Sequence, residues 1–353
     1  EEEFHIAGGS TDTIQALCAV RAVSDATLIC KRGADGAVAF TGDIPDTLDE
    51  GEAGPGFPIE VFNVIGAGDG FMSGLLKGWL DGEDWPTALK YANACGAFAV
   101  SRHGCTPAYP SWDELQFFFE RGVQQPDLRN DAALEQVHWA TNRLTLSNGT
   151  WDHVRTFAFD HRLQLEEMDG YTLKKGGAFK ELCLDAALQV QNGQPGYGIL
   201  CDNRIGRSAL HRATASGLWI GRPTEDPVSR PIQFEDDLGE DFGRLKEWAR
   251  ENVVKVLVFC HPDDDDKTRA MQEARVKRLF TATRRNNLEF LLEVIPSKVG
   301  AVDDETSASL IQQFYDVGVY PDWWKLEPFT TDDAWQNAVN AIERNDPRTR
   351  GIV

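Results

Sequence analysis

Long hydrophobic runs are missing from this sequence: apolar residues make up 42 % of it but nowhere fill the roughly 18 consecutive positions that a membrane-spanning helix needs. Cationic charge is also scarce. There are 35 lysines and arginines against 56 aspartates and glutamates, a formal net charge of −21. Such a surface repels nucleic acid and anionic membrane, so neither is expected as a partner, and an anionic substrate would need a local cationic pocket. No C-x-x-C pair occurs among the seven cysteines (Cys18, Cys30, Cys95, Cys105, Cys183, Cys201 and Cys260). They read as buried thiols of a reducing cytoplasm rather than as zinc ligands. The acidic start, Glu1-Glu2-Glu3, has none of the charged, apolar, small-residue progression of a signal peptide. A cytoplasmic location is therefore expected.

The chain of 353 residues is long enough for two cores. In Asn63-Val64-Ile65-Gly66-Ala67-Gly68-Asp69-Gly70-Phe71, small residues and one carboxylate sit where an extended run gives way to a helix. Gly66, Ala67 and Gly68 let a backbone approach an anion, and a helix beginning near Asp69 aims its free N–H groups at the same point. A carboxylate there repels phosphate unless it has a task, such as taking the proton of an attacking hydroxyl. The plainer alternative is a glycine turn capped by Asp69.

Residues 1–122 alternate short β-rich and helical runs, as in an α/β layered domain. Strands are expected over Ala26–Cys30 and Ala37–Phe40 around a tight turn at 31–36, with an acidic loop over Asp43–Pro58. Val61–Val64 should lead into the glycine turn, followed by helices over Gly70–Leu80 and Trp85–Ser101. With K-R-G-A-D-G at 31–36, N-V-I-G-A-G-D-G-F-M-S-G at 63–74 and A-N-A-C-G-A at 92–97, this part resembles the carboxyl-terminal part of PfkB-type (ribokinase-like) sugar kinases. The resemblance implies Asp69 as catalytic base, the amides of Gly66, Ala67 and Gly68 as the anion hole, and Gly33, Gly36 and Asn93 at the nucleotide. It implies ATP and magnesium as cofactors, without assigning any residue to a metal. That family has an aspartate where this chain has Asn63. The variant motif, with S-R-H-G-C-T-P-A at 101–108, resembles the subgroup of 5-dehydro-2-deoxygluconokinases. Such kinases run to roughly 300 residues, so the chain is expected to open inside one, with its sugar-holding strands lying elsewhere.

A helical changeover is expected over 123–150, and a second domain over 151–353. There, strand-like runs (Val154–Asp160, Gly198–Asp202, Leu218–Gly221, Val253–Phe259, Leu288–Ile295, Asp322–Leu326) alternate with helical ones, including Lys175–Gln191, Leu238–Glu251, Lys267–Arg285, Glu305–Phe314 and Asp332–Glu343. Six βα units, with Gly351-Ile352-Val353 opening a seventh strand, predict an incomplete (β/α)₈ barrel, cut before closure. A doubly wound open sheet is the structural alternative. Period-two alternation turns Lys325 and Glu327 to one face and Trp324 and Leu326 to the other, so Lys325 should point inward, where burial would favour a neutral amine. Glu293 and Lys255 interrupt apolar strands, and Asp160 ends the first. Inward lysines beside inward carboxylates suggest imine chemistry, or else a set of structural ion pairs. Arg204, Arg207, Arg222 and Arg230 follow the second and third strands, where barrels bind substrates. His261 and the run Asp263–Asp266 read as a loop and helix cap rather than a metal site.

F-A-F-D-H-R (157–162), I-G-R-P-T-E-D-P (220–227), V-K-V-L-V-F-C-H-P-D-D (254–264), L-L-E-V-I-P-S-K (291–298) and W-W-K-L-E-P (323–328) together resemble the aldolase-like domain fused behind those kinases and, more distantly, class I tagatose-bisphosphate aldolases. This implies Lys325 as Schiff-base lysine, Glu293 as acid/base, and Lys255 and Asp160 as polar supports, with no cofactor. The expected whole is a bifunctional enzyme that phosphorylates 5-dehydro-2-deoxygluconate and cleaves the product. Its partners would be that sugar acid, its phosphate and, through open strand edges, further copies of the chain. The alternative is a kinase of another sugar carrying the barrel as a binding or assembly module. Cut at both ends, the chain alone is expected to be a poor catalyst.

Overall fold

The computed structural model describes residues 2–142 and 153–353, and the chain divides into two compact units, Glu1–Asn142 and Arg143–Val353. The first unit opens with α1 (Glu2–Gly8) and α2 (Thr13–Arg21), the latter capped by Asp12, whose carboxylate accepts the Gln15 N–H at 2.8 Å. Strands β1 (Leu28–Lys31), β2 (Ala37–Phe40) and β3 (Glu52–Gly54) form an antiparallel sheet in that order. β3 lies inside the stretch expected to be loop throughout. Two of its three residues are exposed, so it shows no apolar alternation and is defined by pairing with β2 alone. Val61–Val64 is no strand. The N–H groups of Phe62 and Asn63 donate instead to the carbonyl of Val100, at 2.7 and 3.0 Å.

Helix α3 (Ala67–Asp81) starts three residues before the expected Gly70, because Gly66 takes the left-handed conformation (φ 84°) that turns the chain into it. It packs on α4 (Trp85–Ser101) through small residues: a Cβ on Gly78 would stand 2.6 Å from Ala88 Cα. Next come α5 (Trp112–Arg121), capped by Ser111, and α6 (Ala132–Asn142). Buried Arg102, at the end of α4, pairs with Glu114 at 2.5 Å and Glu135 at 2.6 Å. These ion pairs tie α5 and α6 to the first unit, so the expected linker over 123–150 is part of that unit as far as Asn142; its remainder lies outside the described residues.

In the second unit β4 (Arg155–Ala158), α7 (Leu163–Glu166), α8 (Leu173–Gln191), β5 (Tyr197–Leu200), α9 (Asn203–Ala213), β6 (Trp219–Pro223), β7 (Asn252–Val258), α10 (Asp266–Arg285), β8 (Glu289–Val294), α11 (Thr306–Asp316), β9 (Trp323–Lys325), α12 (Asp332–Asn345) and β10 (Gly351–Ile352) follow one another. Their seven strands form one parallel sheet in unbroken chain order. A doubly wound sheet reverses its strand order, and this one does not. One face buries Leu200, Trp219, Val253, Leu291 and Trp323 in a single cluster, joined by Val154 and Val353 beside the two edge strands. The sheet therefore curls around that cluster as a partial barrel. Its other face packs on the helices, with Val254, Leu292 and Trp324 against Val276, Leu310 and Ala338.

One connection departs from expectation. Leu238–Glu251 is not a helix but two short 3₁₀ turns, Asp236–Leu238 and Gly243–Glu247. Gly239 (φ 76°) and Phe242 (φ 58°) are left-handed and stop helix propagation, while Leu238, Phe242 and Leu245 still reach the core from the turns. The arginine-bearing stretch after β5 is helix α9, capped by Asp202. Among the described residues no helix is long and apolar enough to cross a membrane.

Candidate active sites

In the first unit a cavity of about 330 Å³ is lined by Lys31, Gly33, Gly36, Ala67, Gly68 and Asn93, with Phe57 and Phe71 on its apolar side. Five of the six residues expected at an anion and nucleotide site thus meet here. Gly66 stands just outside, where its carbonyl accepts the hydroxyl of Tyr109 at 3.1 Å. Asp69 is exposed in the first turn of α3, where the helix end favours its negative charge. Partial desolvation, and then the nearby Asp69 charge, raise the Tyr109 phenol above its ordinary pKa. Asn93 shapes the wall: its amide donates to the carbonyls of Gly54 (3.3 Å) and Pro55 (2.9 Å). Asn63 braces the turn, accepting the Ile65 N–H at 2.9 Å while its NH₂ donates to Arg102 O. The amide plays both parts, whereas an ionised aspartate would have no proton to donate.

Lys31 was not singled out from the sequence. It closes β1 on the cavity, and a Cβ on Gly68 would lie 3.9 Å from its Nζ, so an ammonium faces the amino end of α3. Its place at the end of a strand that feeds a glycine turn was the available signal.

In the second unit the inward faces of β7, β8 and β9 bring Lys255, Glu293 and Lys325 together, in the register Glu293 opposite Lys325. Lys325 Nζ stands 2.5 Å from Glu293 Oε1, and Lys255 Nζ 2.9 Å from Glu293 Oε2. Lys255 also lies 3.3 Å from Asp160 and 3.2 Å from Glu225. All four expected residues of this half converge. Burial, however, is reversed between the lysines: the Lys255 side chain is 3 % exposed and that of Lys325 28 %. Burial alone would lower the pKa of Lys255, but the charges of Glu225, Asp160 and Glu293 outweigh it and hold the ammonium well above its ordinary range. Desolvation opposes ionisation of Asp160, yet Lys255, Lys325 and Arg162 bring its pKa down to about 2.

Glu225 and Arg162, both buried, complete the cluster and were missed. Arg162 binds Glu225 Oε1 at 2.8 Å and Glu235 at 2.9 Å, and Glu225 Oε2 accepts the Leu257 N–H at 3.1 Å. Glu225 shares the parity of inward Trp219, but the prolines at 223 and 227 hid the alternation. Fully buried Lys180 donates to the carbonyls of Phe159 (2.8 Å) and His161 (2.9 Å), fixing the backbone on both sides of Asp160. Arg230 pairs with Asp264, Asp265 caps α10, and His261 bonds Ala301 O at 2.8 Å. Five cysteines are buried; Cys18 is exposed and Cys105 half-buried, because neither packs into a core cluster.

Residues 114–353 match the family model described as "Uncharacterized protein conserved in bacteria (DUF2090)", and residues 1–112 match "pfkB family carbohydrate kinase". The 5-dehydro-2-deoxygluconokinase of Geobacillus thermodenitrificans (strain NG80-2) is 30 % identical over 103 residues, 29 % of this chain and 29 % of that protein. The like-named protein of Bacillus thuringiensis (strain Al Hakam) is 30 % identical over 93 residues, 26 % of each. The chain thus spans less than a third of the length of these relatives.

Proposed function

The chain belongs to the DUF2090 family, and we propose that its partial barrel is an imine-forming lyase acting on the product of a sugar kinase represented by residues 1–112. The carrying observation is Glu293 held between two unlike lysines, one reachable from solvent and one sealed among carboxylates. Lys325 gives a proton to Glu293 and attacks the substrate ketone. The carbinolamine hydroxyl takes that proton and leaves as water, forming an iminium. Glu293 then removes the proton of the hydroxyl two carbons away, the carbon–carbon bond between breaks, and its electron pair enters the iminium as an enamine while an aldehyde departs. Reprotonation by Glu293 and hydrolysis free Lys325. Lys255, kept protonated by its three carboxylates, supplies fixed positive charge beside Glu293 throughout, and Asp160 helps hold it there.

The relatives' name points to 5-dehydro-2-deoxygluconate as the kinase substrate; the lyase substrate proposed with it is the 6-phosphate, cleaved to dihydroxyacetone phosphate and malonate semialdehyde. For the kinase part, the Lys31 ammonium, the amides of Ala67 and Gly68 and the apolar wall suit the phosphates and base of ATP, in a cavity within the roughly 300–1,000 Å³ usual for small ligands. Asp69 would take the proton of the attacking sugar hydroxyl. Magnesium, which accompanies ATP in such kinases, finds no cluster of three or more His, Cys, Asp or Glu side chains among the described residues.

Borohydride added with the sugar acid phosphate should leave a reduced adduct that peptide mapping places on Lys325 and that Lys325→Met abolishes. An intact protein that forms no adduct, or forms it elsewhere, would overturn the lyase reading and leave the cluster as structural ion pairs in a binding module. ADP release with the sugar acid should vanish in Asp69→Asn; retained turnover would remove Asp69 as base.

A further inference from the structure

Outside the barrel interior, the absence of a helix between β6 and β7 leaves a cleft of about 960 Å³ between α9 and the 236–252 connection. Its floor is Arg222. On β6, Trp219 faces the barrel interior and Ile220 the helices, so Arg222 shares the helix-facing side with Ile220. A parallel strand normally presents an apolar side chain there. This guanidinium stacks on Trp248, 3.7 Å from the ring centre, and donates to the side-chain oxygens of Asn252 (3.0 Å) and Asn203 (3.3 Å). Both acceptors are neutral, and its buried Nε has no partner. Burial draws its pKa down to about 10, the mark of a cation without adequate compensation.

The neighbours deepen the imbalance. Arg207, exposed on α9, lines the same cleft, acts on Arg222 as a like charge, and has no ion-pair partner among the described residues. Arg204, Arg212 and Arg244 at the rim are already paired, with Glu166, with Glu181 and Asp185, and with Glu247 respectively. Asp237, the other carboxylate of the cleft, accepts a bond from Asn203 at 2.6 Å; its charge favours the Arg222 cation, but burial outweighs it. Arg222 and Arg207 thus line one cleft, and among the described residues neither makes an ion pair.

We propose that this cleft is a second binding site, for a small phosphoryl-bearing anion held between Arg222 and Arg207. A phosphoryl group carries about −1.5 to −2 charges at neutral pH and presents three acceptor oxygens, matching two guanidinium groups better than a single carboxylate does. The site is separate from the Lys325 centre and does not depend on the lyase reading.

The test uses the intact chain and inorganic phosphate, with sodium chloride at matched ionic strength as control. Saturable binding by calorimetry, with a tryptophan fluorescence change lost in Trp248→Phe, is expected. Arg207→Gln, an exposed change that leaves the core alone, should weaken binding about tenfold, as should Arg222→Met. Lys325→Met should bind as the parent does. No saturable binding beyond chloride would overturn the proposal. So would unchanged affinity in Arg207→Gln, or loss of binding in Lys325→Met, which would locate phosphate at the lysine centre instead. If Arg222→Met fails to fold, the Arg207 and Trp248 variants still decide. Competition by a sugar phosphate against inorganic phosphate separates a metabolite site from a free-phosphate site.

Discussion

Glu293 meets Lys325 through one oxygen and Lys255 through the other, so a single carboxylate couples a reachable amine to a sealed ammonium. Removing Asp160, one of the three acid partners of Lys255, should therefore register as a change in stability that depends on pH. Asp160 is ionised in the fold down to about pH 2, whereas an unfolded aspartate titrates near 3.9. A depressed carboxyl pKa contributes stability that is complete above the unfolded value and disappears as pH falls through the folded one. The gap in unfolding free energy between the parent and Asp160→Asn should narrow by roughly 2 kcal/mol from above pH 4 to pH 2. Denaturant titrations at several pH values measure it, and a gap independent of pH would show that Asp160 is not held by these cations. Lysines interrupting apolar strands were plain in the sequence. Which of them is sealed was not, since the exposure of Lys325 depends on side chains from other strands.

At the scale of elements, α3 and α4 approach through glycine and alanine rather than through interlocking large side chains. Alanine normally improves an exposed helix position held by glycine by about 1 kcal/mol. At Gly78 the added methyl would meet Ala88 at 2.6 Å, and overpacking of that kind costs about 1–3 kcal/mol. Gly78→Ala should therefore lower the melting temperature of the first unit, and a rise would show that the helices can separate freely. The 236–252 connection teaches the converse lesson. Its apolar spacing is helical, but two left-handed residues, Gly239 and Phe242, divide it into turns. The same division opens the cleft over Arg222.

Among the described residues, the parallel sheet has β4 and β10 at its edges. Edge strands with unpaired backbone groups invite pairing with another chain, and an outward lysine is a common guard against it. β4 carries Phe157, 47 % exposed, where such a guard would stand. Sedimentation velocity should show self-association that Phe157→Lys reduces; equal sedimentation of the two proteins would remove this edge as a contact. The net charge of −21 opposes association at low salt, so the difference should grow as salt screens that repulsion.

The sequence by itself determined whatever is local. Strand alternation set the inward parity of Lys255, Glu293 and Lys325, and the succession of β and α runs set a parallel sheet, because these follow from backbone geometry a few residues at a time. The glycine turn before α3 was equally legible, since its conformation belongs to Gly66 itself. Only the tertiary structure decided what depends on distant segments meeting. Arg162 finds Glu225 across 63 positions, and Lys255 is compensated by two carboxylates that follow β4 and β6 and one that lies on β8. Asn63 serves as a brace because the end of α4 offers it a carbonyl. Burial and charge compensation are properties of a neighbourhood, and the neighbourhood exists only once the sheet has curled.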